Sequence, residues 1–117
     1  LAAEALHVNS SFITATANDD SFDRVYQRMV EALGRDGDIL VAFSTSGRSV
    51  NVLNALDQAK KTGMRCIGFC GMHDKDMAPY CDAVFAIPST DTPRIQEMHL
   101  FIGHLLCELT EAAMFAK

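Results

Sequence analysis

The chain has 117 residues, 49% hydrophobic and 21% charged, with 15 acidic against 10 basic side chains and a formal net charge of −5. These proportions describe one soluble globular domain and exclude a disordered or collagen-like chain; folding at this length removes roughly two-thirds of the unfolded surface from water, enough for a core without disulfides or metal staples. With no run of Lys or Arg, nucleic acid and anionic membrane are excluded as main partners, because both need clustered positive charge.

The first residues, Leu1-Ala2-Ala3-Glu4-Ala5-Leu6-His7-Val8, lack a starting methionine, a helix cap and a leader, and are expected to belong to the later portion of a longer polypeptide. After Asn18-Asp19-Asp20-Ser21, apolar residues at Phe22, Val25, Tyr26, Met29, Val30 and Leu33 follow the spacing of one helix face, and Gly34 ends it. Asp38-Ile39-Leu40-Val41-Ala42-Phe43 reads as a compact apolar strand. The polar loop Ser44 to Ser49 leads from it into a helix marked by Val52, Leu53, Leu56 and Ala59 and closed by Gly63. Arg65 to Cys70 predicts the next strand, stopped at Gly71, and a weak short helix limited by Pro79 is expected from Asp74 to Tyr80. Ala83 to Ile87 predicts another strand. Ser89-Thr90-Asp91-Thr92-Pro93 then offers N-cap oxygens with a proline just inside a helix of about 20 residues running to Phe115.

Strands that alternate with helices and are apolar on both faces predict a three-layer α/β/α arrangement, a mainly parallel sheet covered on both sides. There is no internal repeat and no second domain. Cys66, Cys70, Cys81 and Cys107 form no Cys-x-x-Cys pair and are read as small buried hydrophobes in a reducing cytosol. Arg94, Glu97, His99, His104 and Glu108 interrupt the last apolar stretch, so neither a bilayer-spanning window nor a signal segment is expected. A cytoplasmic location follows as the expectation.

In open parallel sheets, ligands bind beyond the carboxyl ends of the strands, where helix N-termini present unpaired N–H groups and partial positive charge. Ser44-Thr45-Ser46-Gly47-Arg48-Ser49 occupies such a place, with four hydroxyls and a glycine in six residues. Short donors and a backbone open to close approach suit the oxygens of a phosphate monoester. No Gly-Lys-Ser/Thr and no Gly-x-Gly-x-x-Gly is present, which disfavours nucleoside triphosphates and dinucleotides. Composition alone allows the same residues to make only a turn and an N-cap.

Phe43-Ser44-Thr45-Ser46-Gly47-Arg48-Ser49-Val50-Asn51-Val52-Leu53 resembles the Ser-Thr-Ser-Gly-x-Ser signature of sugar isomerase (SIS) domains, which hold the phosphate of a phosphosugar on that loop. Within that superfamily the chain resembles the phosphoheptose isomerases. The narrower likeness rests on Ala17-Asn18-Asp19-Asp20, on Glu31 to Asp38, and on Arg94-Ile95-Gln96-Glu97-Met98-His99 with His104. It implies a flavodoxin-like SIS domain over residues 1–117, lacking its N-terminal helix and its first strand and loop.

The resemblance implies that Ser44, Thr45, Ser46 and Ser49 line the phosphate and neighbouring hydroxyls, that Asp19 binds a sugar hydroxyl, and that Gln96 and His104 stand at the reacting end. It also implies zinc, held by Gln96 and His104 with further ligands upstream of Leu1, where the family carries a histidine and an acidic glutamate on one helix. Two departures are visible: Pro93 stands where relatives often have aspartate, a contact Asp91 would have to replace, and Arg48 replaces the more usual Asn. The implied activity is isomerisation of sedoheptulose 7-phosphate to a manno-heptose 7-phosphate in a cytosolic homotetramer, supplying heptose for surface polysaccharide. A catalytically silent binder of phosphosugars or of the replication initiator is the competing SIS function.

Ketose–aldose interconversion moves a proton between adjacent carbons through an enediolate, and histidine is the side chain suited to that transfer near neutral pH. His104 is therefore the expected base. Residues i and i+8 of one helix are separated by about 12 Å of rise and about 80° of rotation, so one ion with bonds of about 2 Å is expected to take Gln96 and His104 from different subunits. Glu97, His99 and His73 are expected to be solvated or to support the ligands from behind, and His7 has no assigned role.

Overall fold

The computed structural model describes residues 2–115. Helix α1 (Ser10–Asp19) precedes a 3₁₀ turn, Phe22–Arg24, that runs directly into α2 (Val25–Leu33). Strand β1 (Ile39–Ser44), helix α3 (Val50–Thr62), strand β2 (Arg65–Cys70), a second 3₁₀ turn (Ala78–Tyr80), strand β3 (Ala83–Ala86) and helix α4 (Thr92–Phe115) follow. The three strands form one parallel sheet in the order β1-β2-β3. Ile39 aligns with Arg65 and Ser44 with Cys70, so β1 and β2 end level with each other.

The core lies between the sheet and α2 and α3. Ala42 of β1 and Cys66 and Cys70 of β2 meet Ala55, Leu56 and Ala59 of α3, Val30 of α2, and Met77. Gly63 closes α3 as expected, and the Met64 N–H donates to Ala59 O at 2.9 Å beside the Gly63 N–H to Lys60 O at 3.1 Å, the bond pair of a Schellman cap. Helix α4 begins the layer on the other face of the sheet, with Ile95 and His99 as its buried residues.

That second layer is incomplete. Along β1, Ile39, Val41 and Phe43 alternate with the inward residues and remain 60%, 45% and 51% exposed, whereas the apolar pattern predicted cover on both faces. Phe101, Leu105, Leu109, Met114 and Phe115 of α4 are likewise exposed. The accessible surface, 7629 Å², exceeds by roughly a fifth the area that a compact monomer of this mass presents.

Two other elements differ from their expected form. Helix α1 occupies a segment to which no element was assigned from the sequence; it starts where Asn9 Oδ1 accepts the Phe12 N–H at 3.0 Å. The expected helix from Asp74 to Tyr80 shrinks to the 3₁₀ turn at Ala78–Tyr80, where Pro79 has no N–H to give.

Asp82 fastens β3 to β2. Its carboxylate accepts the Cys66 N–H and a bond from Arg65 Nη1, each at 2.8 Å. The Cys66 bond first, then Arg65, hold this carboxyl below the usual carboxylate range. A depressed value in the folded state contributes stability that is complete above the unfolded value and is lost as pH falls through the folded one. Asp82→Asn is therefore expected to lower the melting temperature at pH 7, with the gap to wild type closing as pH drops below about 4. A gap of the same size at pH 3, read by scanning calorimetry, would remove the ionised carboxylate from this account.

Candidate active site

The carboxyl ends of β1 and β2 open onto a cleft of about 510 Å³, walled on one side by Phe43, Ser44, Thr45 and Ser49. The opposite wall is α4, through Gln96, His99, Leu100, Gly103 and His104. Those five positions follow the i, i+3, i+4, i+7, i+8 series, which is one face of a helix. Of the expected site residues, the structure thus brings Ser44, Thr45, Ser49, Gln96 and His104 together.

The loop between β1 and α3 is built around its own hydroxyls. Ser44 is buried, with its Oγ 2.9 Å from Ser49 Oγ and 3.4 Å from Ser46 Oγ. Ser46 Oγ accepts the Arg48 N–H at 3.2 Å, and the Gly47 N–H donates to Ser44 O at 2.9 Å. Gly47 has φ +68, and a Cβ there would collide with the carbonyl of His73, so glycine is required twice over. Gly71 lies where three segments cross: an added Cβ would stand 2.6 Å from Ile95 Cδ1 and 2.7 Å from Thr45 O. Bonds from the Gly71 N–H to Thr45 O and from the Met72 N–H to Ser89 O fix that crossing.

A second, smaller cleft of about 250 Å³ lies on the other side of the loop, between Thr45, Ser46 and Arg48 and the segments carrying His73, Ser89, Thr90 and Thr92. Ser46, expected with the other hydroxyls, lines this cleft. The loop is therefore a partition with hydroxyls on both sides. Asp19 closes α1, is exposed, accepts a bond from its neighbour Asn18 at 2.7 Å, and lines neither cleft. Asp91 does not line them either; its carbonyl accepts the Ile95 N–H, and its carboxylate lies 3.9 Å from Arg94 Nε. It starts α4 rather than replacing the aspartate that Pro93 displaces.

The charge around the loop is one-sided. Although the chain is net acidic, neither cleft is lined by a carboxylate among the described residues. The first turn of α3 has no acidic residue, and Ser49 at its N-cap makes no side-chain cap bond, its hydroxyl turning to Ser44 instead. The unneutralised positive end of α3 and the loop's hydroxyls together favour an anion.

His99 departs from expectation. It is only 5% exposed, and its Nε2 lies 3.1 Å from Cys70 O. The ring meets Phe69 edge-on at 5.5 Å and Phe43 at 5.8 Å. The available signal was its position four residues after Ile95, on the stripe shared with Gln96 and His104; the charges around it concealed that face.

The cysteines offer no nucleophile at neutral pH where they are shielded. Burial, then Cys66, Cys70 and Asp82, push the Cys81 thiol up to about 11, and burial raises Cys66 and Cys70 as well. Cys107, expected to be buried, is exposed on α4. Among the described residues, no group of three or more His, Cys, Asp or Glu could hold a metal ion. Helix α4 runs unbroken from Thr92 to Phe115, so Gln96 and His104 keep an axial separation of about 12 Å. The residues described do not by themselves fit a zinc ion.

This arrangement defines an open parallel α/β protein whose ligand cleft lies at the strand ends, between a hydroxyl loop and a histidine-bearing helix. The sequence profile of the SIS domain matches residues 1–71, and the chain belongs to the SIS domain family. It is 45% identical over all 117 residues to a phosphoheptose isomerase of Burkholderia pseudomallei, covering 59% of that protein. It is 50% identical over 110 residues to one of Rhodospirillum rubrum, covering 58% of it. The solved phosphoheptose isomerase of Neisseria gonorrhoeae superposes with a TM-score of 0.91 at 40% identity over 93% of this chain and 62% of that one. The chain thus spans about three-fifths of the length of these relatives. Among the described residues no helix is long and apolar enough to cross a membrane.

Proposed function

We propose that the chain carries the phosphate loop and the proton-transfer wall of a phosphoheptose isomerase, converting sedoheptulose 7-phosphate to D-glycero-D-manno-heptose 7-phosphate. The observation that carries this reading is the cleft in which Gln96 and His104 face Ser44, Thr45 and Ser49. The names of the similar proteins support the substrate. The phosphate dianion takes the hydroxyl loop and the N-terminus of α3, which leaves the other end of the sugar to the α4 wall. His104 removes the proton from C1 of the ketose, the C1–C2 enediolate forms, and the same proton or its solvent replacement returns to C2. The hydroxyl proton passes from O1 to O2 through an acid that the resemblance places upstream of Leu1. Gln96 donates from its amide to the oxygen that gains charge.

Zinc remains part of the proposal only with ligands beyond the described residues, and no step is routed through it. The exposed apolar stripes of β1 and α4 support assembly into a homotetramer, in a cytoplasmic enzyme of surface-polysaccharide heptose synthesis. Gln96 and His104 line one cleft of a single chain, so the proton-transfer wall does not need them from different subunits, contrary to the expectation from their spacing. Incubation with sedoheptulose 7-phosphate in D₂O is expected to yield the aldose phosphate with deuterium at C2, read by NMR, from a protein that sediments as a tetramer. Product without deuterium would exclude solvent-exchanging proton transfer, and full activity from a monomer would exclude the tetramer as the working form.

A further inference from the structure

We propose that His99 is a sugar-binding residue, its Nδ1 accepting a hydrogen bond from a hydroxyl of the substrate chain. The proposal rests on the isomerase reading above. Cys70 O is a carbonyl and only accepts, so the bond at 3.1 Å requires the hydrogen on His99 Nε2. The same carbonyl takes the Ile87 N–H at 3.0 Å, which uses both lone pairs. A flipped ring would put carbon against that oxygen and lose the bond, so ring orientation and tautomer are set together. Contacts with Phe43 and Phe69 hold the ring plane.

With Nε2–H committed, the neutral ring presents Nδ1 as an acceptor. Nδ1 makes no bond within the described residues, yet no side-chain nitrogen or oxygen among them is buried without a partner. Since His99 is itself buried and lines the larger cleft, the opening that reaches Nδ1 is that cleft. His99 lies about 4.5 Å along α4 from Gln96 and about 7.5 Å from His104, midway along the wall that faces the phosphate loop. A fixed acceptor at that level selects a hydroxyl donor. It recognises a polyol chain between the phosphate and the reacting carbons, and inorganic phosphate does not need it.

Two variants separate this role from structural support. Glutamine places an amide N–H near the Nε2 position and keeps the tie to Cys70 O; asparagine places an amide oxygen near Nδ1 and keeps the acceptor. By calorimetry, His99→Gln is expected to bind sedoheptulose 7-phosphate about three- to tenfold more weakly than wild type, the loss of one neutral hydrogen bond, with unchanged affinity for inorganic phosphate. His99→Asn is expected to retain sugar-phosphate affinity to within about twofold while melting at a lower temperature. Equal sugar-phosphate affinity in wild type and His99→Gln, or equal losses in both variants, would overturn the proposal while leaving the isomerase reading in place. Failure of wild type to bind either ligand would instead sink that reading, and this one with it. If the variants do not fold, the His99 Nδ1 resonance of ¹⁵N-labelled wild type decides the matter. It is expected to shift on adding sugar phosphate and not on adding inorganic phosphate, and an unmoved resonance in both additions counts against the contact.

Discussion

Replacing His104 with alanine is expected to abolish measurable isomerisation of sedoheptulose 7-phosphate while leaving its dissociation constant within about tenfold of wild type. A positioned general base contributes roughly 10²–10⁴ in rate, and the hydroxyl loop proposed to hold the substrate stands on the opposite wall of the cleft. The two functions are carried by different elements, so their losses should separate. Progress curves give the first quantity and calorimetry the second. Retained turnover would remove His104 from proton transfer, whereas parallel loss of binding would make it a substrate ligand.

Ser46→Ala combined with Ser49→Ala is expected to weaken phosphosugar binding by about 2–4 kcal/mol, at roughly 1–2 kcal/mol for each hydrogen bond to a charged oxygen. That corresponds to roughly 30- to 1,000-fold in dissociation constant. The double variant removes one hydroxyl from each side of the partition, because Ser49 lines the larger cleft and Ser46 the smaller. Ser44, buried between them, loses both hydroxyl partners in this variant, so the melting temperature is read beside the affinity. Gly47 and Gly71, which admit the neighbouring backbone, are untouched, and an unchanged melting temperature assigns the loss to the ligand. Undiminished affinity in the double variant would put the phosphate elsewhere.

The strands and the two central helices were legible because their apolar spacing has a single cause, burial against the sheet: Val25, Met29, Val30, Leu56 and Ala59 were on the predicted faces and are buried. Helix α1 was not legible, since Thr14 and Thr16 argue against a helix locally and the Asn9 cap is a single residue. The outward face of β1 was legible only in part. Ile39, Val41 and Phe43 declare a surface that is apolar, and an apolar pattern does not specify what covers it. In the site, the hydroxyl loop stood out by its place after an apolar strand, and Gln96 and His104 were named from resemblance, while their spacing pointed to different subunits rather than to the one cleft that they line. His99 could not, because which face of α4 meets the sheet is decided by the contacts of Ile95 with Gly71 and of His99 with Phe69 and Cys70. Asp19 was placed with the sugar by resemblance alone, and it lies at the end of a helix that lines neither cleft.

Helix α4 is anchored to the sheet near Ile95 and His99 and then continues as a rigid rod to Phe115. Measured from His99, His104 lies about 7.5 Å along the rod and Phe115 about 24 Å. A tilt that carries the far tip through about 3 Å thus carries His104 through about 1 Å, a displacement on the order of what costs a hundredfold in rate when reacting groups are misplaced. Whatever grips Leu109, Met114 and Phe115 therefore works a lever whose short arm ends at the imidazole.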